Sequence, residues 1–552
     1  MTMRVGEEQN ERMEIMARRG AKQRLLSLAA AALASTMVLA GCGGSGSDEA
    51  TVDANGKPIV KILITRYSTD VAMKTMGWTK DIETACDCTI KWDDVADSSW
   101  SQQKSAVLAS GDVPDVSIFT FDPTDGEQYP YFEDLSQHLD QMPNVKKFFE
   151  TQTSAKKMVA DSDGHVYVLP SDRGENYRVS SNHMFINKTW LDKLGLKMPT
   201  TWDELTKVLT AFKTQDPNGN GKADEVPFNM RRIDTTGFSL WNPFVLLNSL
   251  GITTSFAGTS PSFQGIYVKD GKVGNFLESD EYKSVVKYLH SLMEQGLIPA
   301  DALTREDSAI TADTVSDGKT AKSGMIVGWA TTDFEKLQDQ YVALPSLKAS
   351  ASTPDSDVTW DASQELTELS NHAIAVSKDA PNKEAIYKVV NALYGEKVSI
   401  QQYYGDIPED VTSSDNSTYT VNDRCFDSST TDPCKATADR FAGWIPDSAT
   451  IKNDKASEAL READSAYTKA FANVDETKDV MPIYVRPDVD DQTTITNNNT
   501  AVLNYALTKT ATWIQKGGVD ADWDAYVKKL ESVGLTQNVK LWQKYYDEYT
   551  KN

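Results

Sequence analysis

The stretch DPNGNGKADE, Asp216 to Glu225, sets oxygen-bearing groups at alternating positions: Asp216, Asn218 and Asn220, a backbone carbonyl near Lys222, then Asp224 and Glu225. Hard oxygen ligands at this spacing suit a calcium ion, and Gly219 and Gly221 permit the tight winding that brings them together. The pattern starts like an EF-hand and then departs from it. Position twelve counted from Asp216 is Pro227, where a bidentate Glu would stand, and no second helix follows. Asp224 and Glu225 must therefore close the site. The same run also suits an ordinary turn, but a bare turn does not require two carboxylates after the glycines. One loop without a paired hand would staple a surface turn and stabilise the fold rather than act as a sensor.

Catalytic chemistry finds little footing elsewhere. The sequence has no HExxH, no GxSxG and no phosphate-cradling glycine loop, and only five His are available for acid-base work. A carboxylate pair for glycoside cleavage can be proposed anywhere among 80 Asp and Glu, so that signal has no specificity. An exported carbohydrate-active enzyme, a glycoside hydrolase or lyase, stands as the rival reading. A formal charge of -24 argues against nucleic acid, which needs clustered Lys and Arg.

The amino terminus reads as an export signal: Arg18, Arg19, Lys22 and Arg24 precede the apolar run LLSLAAAALASTMVLA. It ends in LAGC, Leu39 to Cys42, which resembles the lipobox of bacterial lipoproteins and makes Cys42 the lipidated residue after removal of residues 1–41. Removal takes six Lys and Arg and four Asp and Glu, leaving 50 against 76, a balance of -26. Residues 42–56, rich in Gly, Ser and Asp, form a flexible tether. In an oxidising compartment the remaining cysteines are expected in local disulfides. Cys425 with Cys434 closes a short polar loop, whereas Cys86 with Cys88 would close a tight, strained ring, which disfavours that pairing.

The body alternates strand and helix, which indicates an α/β architecture. PIVKILITRY and PDVSIFTF read as strands, with a helix between them that stops at Gly-Asp-Val-Pro. Helices are predicted at Thr201 to Phe212, behind a capping box of Thr201 and Glu204, at Glu281 to Glu294, and at Lys383 to Leu393. The tail is helical, and its Trp542, Tyr545, Tyr546, Tyr549 stripe reads as a packing face. Between about Tyr394 and Asp454 the pattern dissolves into Ser, Thr, Asp and Asn, a long insertion with little regular structure.

Met184 to Phe228, MFINKTWLDKLGLKMPTTWDELTKVLTAFKTQDPNGNGKADEVPF, resembles the signature of the family 1 extracellular solute-binding proteins that serve carbohydrate ABC importers. LASGDVPDV, DGHVYVLP, GMIVGWA, NHAIAVSKDAPNKEAIYKVVNALYG and the closing YDEY support it in the same order. The resemblance implies a two-lobed, periplasmic-binding-protein-like (type II) α/β fold with hinge strands and extra C-terminal helices. Residues 57–175 and 370–400 would form lobe 1, and 176–369 with 401–552 mainly lobe 2. It further implies a binder rather than an enzyme, lipid-anchored on the outer face of the cell membrane, that closes on an oligosaccharide and docks on ABC permease subunits. The large members of the family carry a structural calcium in a loop like that at Asp216.

Sugars present apolar ring faces and hydroxyl rims, so a sugar site combines aromatic platforms with hydrogen-bonding side chains. From lobe 1 the candidates are Tyr67, Asp70, Trp100, and Phe121 with Asp122; SDRGENYR near the first crossover adds Asp172, Arg173, Glu175, Asn176, Tyr177 and Arg178. From lobe 2 come Trp241, Trp329, Trp360 and Trp444, with Trp329 foremost because family members often stack a sugar ring after that strand. Trp190 and Trp202 are assigned to structure. The acidic chain favours a neutral oligosaccharide over a uronate polymer.

Overall fold

The computed structural model describes residues 50–67, 70–415, 417–426 and 432–550. The described residues from Thr51 on form one compact unit, which holds the sheets and helices. The expected signal segment, Cys42 and residues 42–49 of the expected tether lie outside the described residues.

The first sheet has five strands in the order Thr89–Ala96, Ile59–Arg66, Val116–Ile118, Leu369–Val376, Val168–Asp172. The first three run parallel and the last two pair antiparallel. The run IVKILITR is buried at six of its eight positions because a central parallel strand is covered on both faces. Helices Thr79–Cys86, Pro143–Thr151 and Lys383–Leu393 supply buried side chains to that core, among them Ile82, Phe148 and Ile386.

A second sheet of four strands runs Tyr341–Ala343, His183–Asn187, Ser323–Gly328, Val226–Phe228. Helix Trp202–Thr214 packs Trp202, Leu205, Val208, Leu209 and Phe212 into its core. Thr201 Oγ1 accepts the Glu204 N–H at 3.2 Å, while the Glu204 carboxylate reaches Thr200 N at 2.8 Å, one residue earlier than a capping box requires. The carboxyl-terminal helices Val489–Lys516, Val519–Ser532 and Leu535–Thr550 complete this half, with Tyr282 and Thr510 joined through their hydroxyls at 2.7 Å. Trp542, Tyr545 and Tyr546 are buried against Ile266, Val268 and Val485, so the aromatic stripe is a packing face.

The insertion after Tyr394 is more ordered than its composition suggests. It holds helix Glu396–Tyr404 and a small sheet of Val411–Ser413, Thr418–Val421 and Thr450–Lys452. Ala442 and Trp444 enter the first core, while Ala463 to Leu535 feed the second, so the chain beyond Gln401 divides between the halves. Cys425 and Cys434 are bonded, and so are Cys86 and Cys88, the pairing that spacing disfavours.

The chain passes between the halves after Asp172, before Leu369 and again between Trp444 and Ala463, and a buried carboxylate ties the first two crossings together. Asp361 Oδ1 accepts from Asn182 Nδ2 at 3.1 Å, Ser180 Oγ at 3.3 Å and Ser363 Oγ at 2.5 Å. Its Oδ2 accepts from Thr254 Oγ1 at 2.7 Å and Phe256 N at 2.8 Å. Asp361 is fully buried, so removing it takes the acceptor from five donors, of which only Ser180 Oγ and Asn182 Nδ2 reach another, Asn182 O and Phe256 O. Asp361→Ala is expected to destabilise the protein by about 3 kcal/mol or more, read from chemical denaturation; a loss under about 1 kcal/mol would contradict this account of the crossings.

Candidate functional site

A cleft of about 590 Å³ opens beside the crossings. Tyr67 and Phe119 face it from the first half, Trp241 and Trp329 from the second, Arg173 and Thr367 from the crossings, and Tyr403, Asp439 and Arg440 from the insertion. Phe119 and Trp241 hold φ of 55° and 59°, a left-handed backbone that bulky residues seldom occupy and that clusters at functional sites. Trp241 is fixed there by its N–H on Asn182 Oδ1 at 2.8 Å and its Nε1–H on Ser181 O at 2.9 Å.

The second crossing strand carries a break in register. Ser370 pairs with Ser171, but Ile374 pairs with Leu169, so two extra residues bulge from Leu369–Val376. Asn371 and His372 lie in this bulge and line the cleft, as bulges beside functional sites commonly allow. The His372 ring packs edge-on to Phe119 at 4.9 Å.

Both cleft arginines are engaged. Arg173 donates from Nε to Thr367 O at 2.7 Å and from Nη1 to Tyr403 Oη at 3.3 Å and Asp439 Oδ1 at 3.2 Å. Its guanidinium lies between the rings of Tyr177 at 4.6 Å and Trp329 at 5.9 Å. Arg440 pairs with Asp97 and covers Tyr67 at 4.7 Å and Phe119 at 5.4 Å. Of the lining carboxylates, Glu368 is paired with Arg178 at 3.0 Å, and burial raises the pKa of both Glu368 and Asp333. Among the described residues no lysine lines the cleft.

Of the sequence candidates, Tyr67, Arg173, Trp241 and Trp329 meet in this cleft. Five others, Trp100, Phe121, Trp360, Trp444 and Asp172, are core residues instead. Trp100 donates its Nε1–H to Thr120 O at 2.8 Å and packs edge-on to buried Phe121. Trp360 stacks on Tyr467 at 3.9 Å and donates to Asn182 O, and Trp444 packs against Phe148. Asp172 is fully buried beneath the crossing, where burial, with Glu368 nearby, pushes its carboxyl well above the usual range. The rest do not line the cleft. Asp70 accepts the Tyr67 N–H at 2.9 Å, Asp122 pairs with Lys104 at 2.8 Å, Tyr177 underlies Arg173, and the Asn176 carbonyl accepts from Arg461. Glu175 is exposed and Arg178 holds Glu368. Phe119, His372, Asn371, Asp333, Tyr403, Asp439 and Arg440 are not marked out by the sequence; the αL turn at Phe119 and the bulge at His372 leave no periodic signal.

The Asp216 loop winds tightly around its first carboxylate. Asp216 Oδ1 accepts from Gly219 N at 3.0 Å and Asn220 N at 3.2 Å, and Oδ2 accepts from Gly221 N at 3.0 Å. Gly219 and Gly221 both hold φ of 73°. Asp224 Oδ1 accepts from the amides of Asn218 at 3.2 Å and Asn220 at 3.0 Å. Glu225 Oε1 is buried without a hydrogen-bond partner, and burial, with Asp216 and Asp224 nearby, raises its pKa. An orphaned carboxylate oxygen among two further carboxylates and two side-chain amides fits a hard divalent cation. Asp410 with Cys425 and Cys434 does not, because both thiols are consumed in the disulfide.

A family model described as Bacterial extracellular solute-binding protein matches residues 77–400, more than half of the chain. The chain belongs to that family. The HMO binding ABC-transporter associated Solute Binding Protein from Bifidobacterium longum infantis is 48% identical, with a TM-score of 0.87 over 90% of this chain and 100% of that one. The FusA EF-hand mutant of S. pneumoniae, solved with fructo-nystose, is 25% identical, with a TM-score of 0.74 over 90% of this chain and 100% of that one. The Fructooligosaccharide ABC transporter substrate-binding protein FusA of Streptococcus pneumoniae serotype 4 is 28% identical over 481 residues, 82% of this chain and 84% of that protein. The fold is therefore the two-lobed solute-binding fold, its relatives are binding proteins rather than enzymes, and the family is extracellular.

Two histidines of this solute-binding protein should titrate in opposite directions. Burial lowers the pKa of His372, with Asp122, Arg440, Lys104 and Asp97 as its charged neighbours. The folded state therefore loses stability as pH falls below about 6.5, the value in the unfolded chain. His165 is raised by its hydrogen bond to Asp161, so its contribution is present below about 6.5 and is lost as pH rises through the raised value. NMR titration of the imidazole signals should place His372 below and His165 above the ordinary value; the reverse order would refute both environments.

Proposed function

We propose that the protein captures a neutral oligosaccharide in the cleft and delivers it to the permease subunits of an ABC importer, catalysing no reaction itself. The observation that carries this reading is a cleft walled by Tyr67, Phe119, Trp241 and Trp329 in which both arginines are already paired with carboxylates. Aromatic faces suit the apolar sides of sugar rings, and the Asn, Thr, Tyr and Asp groups between them suit hydroxyls. A uronate would find no unpaired lysine or arginine among the described residues of the wall. The names of the relatives, a fructooligosaccharide transporter component and an HMO binding protein, point the same way. Lobe closure around the sugar would be the signal that the permease reads.

Cys42 would carry a lipid that holds the protein at the extracellular face of the membrane, with the tether ending at about Ala50, because Val52 already bridges Pro58 and Asp53 accepts from Thr89 Oγ1 at 2.8 Å. Calcium would occupy the Asp216 loop, held by Asp216, Asn218, Asn220, the Lys222 carbonyl, Asp224 and Glu225. It would offset the crowding of three carboxylates and give Glu225 its missing partner. This is a structural role, consistent with the EF-hand named for the FusA relative.

Calorimetry against neutral fructo-, arabino-, xylo- and manno-oligosaccharides and against uronate oligosaccharides tests the main reading. At least one neutral sugar should bind, the uronates should not, and Trp329→Ala should weaken binding about tenfold or more, ~1.4 kcal/mol. Binding of peptides or lipids but no sugar, or release of smaller sugars from the panel, would sink it.

For the loop, a chelator should lower the melting temperature of the wild type by roughly 5 °C and leave Asp216→Ala nearly unchanged. The effect should shrink toward pH 4, where the carboxylates protonate and the ion is released. A wild type indifferent to chelator at neutral pH would refute the bound ion.

A further inference from the structure

Trp329 sits just past strand Ser323–Gly328, and both polar groups of its own backbone are held by side chains, one from exposed Asp333 and one from fully buried His183. Its N–H donates to Asp333 Oδ2 at 2.8 Å, and the next peptide, Ala330 N–H, reaches the same oxygen at 3.4 Å. Its carbonyl accepts from His183 Nδ1 at 2.7 Å, which fixes that ring nitrogen as the protonated one. The register of the second sheet makes this reach possible, because His183 lies directly opposite Gly328. Gly328 matters on the other side as well. A Cβ there would lie 2.9 Å from Asp333 Oδ2, so any other residue would push the carboxylate off the Trp329 N–H.

The clamp is itself braced. His183 is fully buried between the rings of Phe185 and Tyr467, at 5.9 and 5.8 Å, with its Nε2 facing Asp464 Oδ1 at 3.5 Å. Tyr467 is fixed in turn by stacking on Trp360 and by accepting the Met184 N–H at 2.8 Å. A backbone held at both its donor and its acceptor leaves the indole only side-chain torsions, and the Arg173 guanidinium lies over its ring. Such support is what a binding platform needs to keep its geometry within a fraction of an ångström.

We propose that Asp333 and His183 are positioning residues for the Trp329 platform, setting the angle of its ring in the cleft rather than contributing affinity of their own. The proposal rests on the reading of the cleft as an oligosaccharide site. A double-mutant cycle separates this role from general destabilisation or a direct sugar contact. The neutral oligosaccharide that binds the wild type best serves as the probe. Asp333→Ala should weaken binding about tenfold, and adding it to Trp329→Ala should cost less than about twofold more, because the ring it positions is gone. Asp333→Asn keeps an accepting oxygen and should recover to within about threefold of wild type.

If Asp333→Ala does not fold, the same cycle is run at His183. His183→Asn can place an amide N–H near the Nδ1 position and should bind far better than His183→Gln, whose amide lies one carbon further out. Additive losses with Trp329→Ala, wild-type affinity in Asp333→Ala, or no recovery in Asp333→Asn would overturn the clamp while leaving the binding function standing. A wild type that binds no sugar would remove the function and the clamp together.

Discussion

Ser171 and Asp172 pair with Ser370 and Leu369 where the chain passes between its two halves, and Arg173 reinforces the pairing by donating its backbone N–H to Glu368 O and its Nε–H to Thr367 O. Main-chain bonds between crossings run antiparallel and side by side, so the halves can bend about them but cannot slide. The cleft follows from this constraint. Its floor is the paired crossings, and its walls are whatever each half presents at the level where they part. Arg173 extends the floor into the walls, touching Tyr403 and Asp439 of the insertion and the rings of Tyr177 and Trp329. One guanidinium thus joins the crossings, the insertion and the second lobe.

Charge differs between the whole molecule and the cleft. The chain carries -24 overall, a property of solvated surface that favours solubility. Inside the cleft the balance is close to neutral by pairing, with each arginine matched to an aspartate and covered by aromatic faces. Aromatic cover also lowers the water available to those ion pairs, which strengthens them relative to exposed pairs. The result is a wall that offers ring faces and hydrogen-bonding groups while its arginines stay occupied.

The scaffold is largely legible in the sequence because it is periodic. Lys383–Leu393 can be read over its full extent, and Trp202–Thr214 and Asp280–Glu294 to within a residue or two, since their apolar stripes recur every three or four positions. Helix Glu396–Tyr404 is invisible for the opposite reason. It buries Ser399, Gln401 and Gln402, whose polar ends are satisfied by partners such as Leu393 O. Indoles are the hardest to place. Trp241 and Trp329 line the cleft while Trp360 and Trp444 do not, and the difference lies in distant neighbours: Tyr467 covers Trp360, and Phe148 covers Trp444. Nothing adjacent to either tryptophan encodes those encounters. His372 escapes sequence reading because a register break is a property of two strands, not of one.

The bulge at Asn371 and His372 separates two demands that most strands must meet together. Along a regular strand each side chain is committed by alternation to one face or the other, so a change that suits a ligand disturbs a core. The two extra residues step outside that alternation, and the core beside them is built by Leu369 and Ile374 instead. Evolution can therefore rewrite the chemistry at the floor of the cleft while the scaffold drifts slowly. Descendants of one ancestral importer can diverge in diet without diverging in shape.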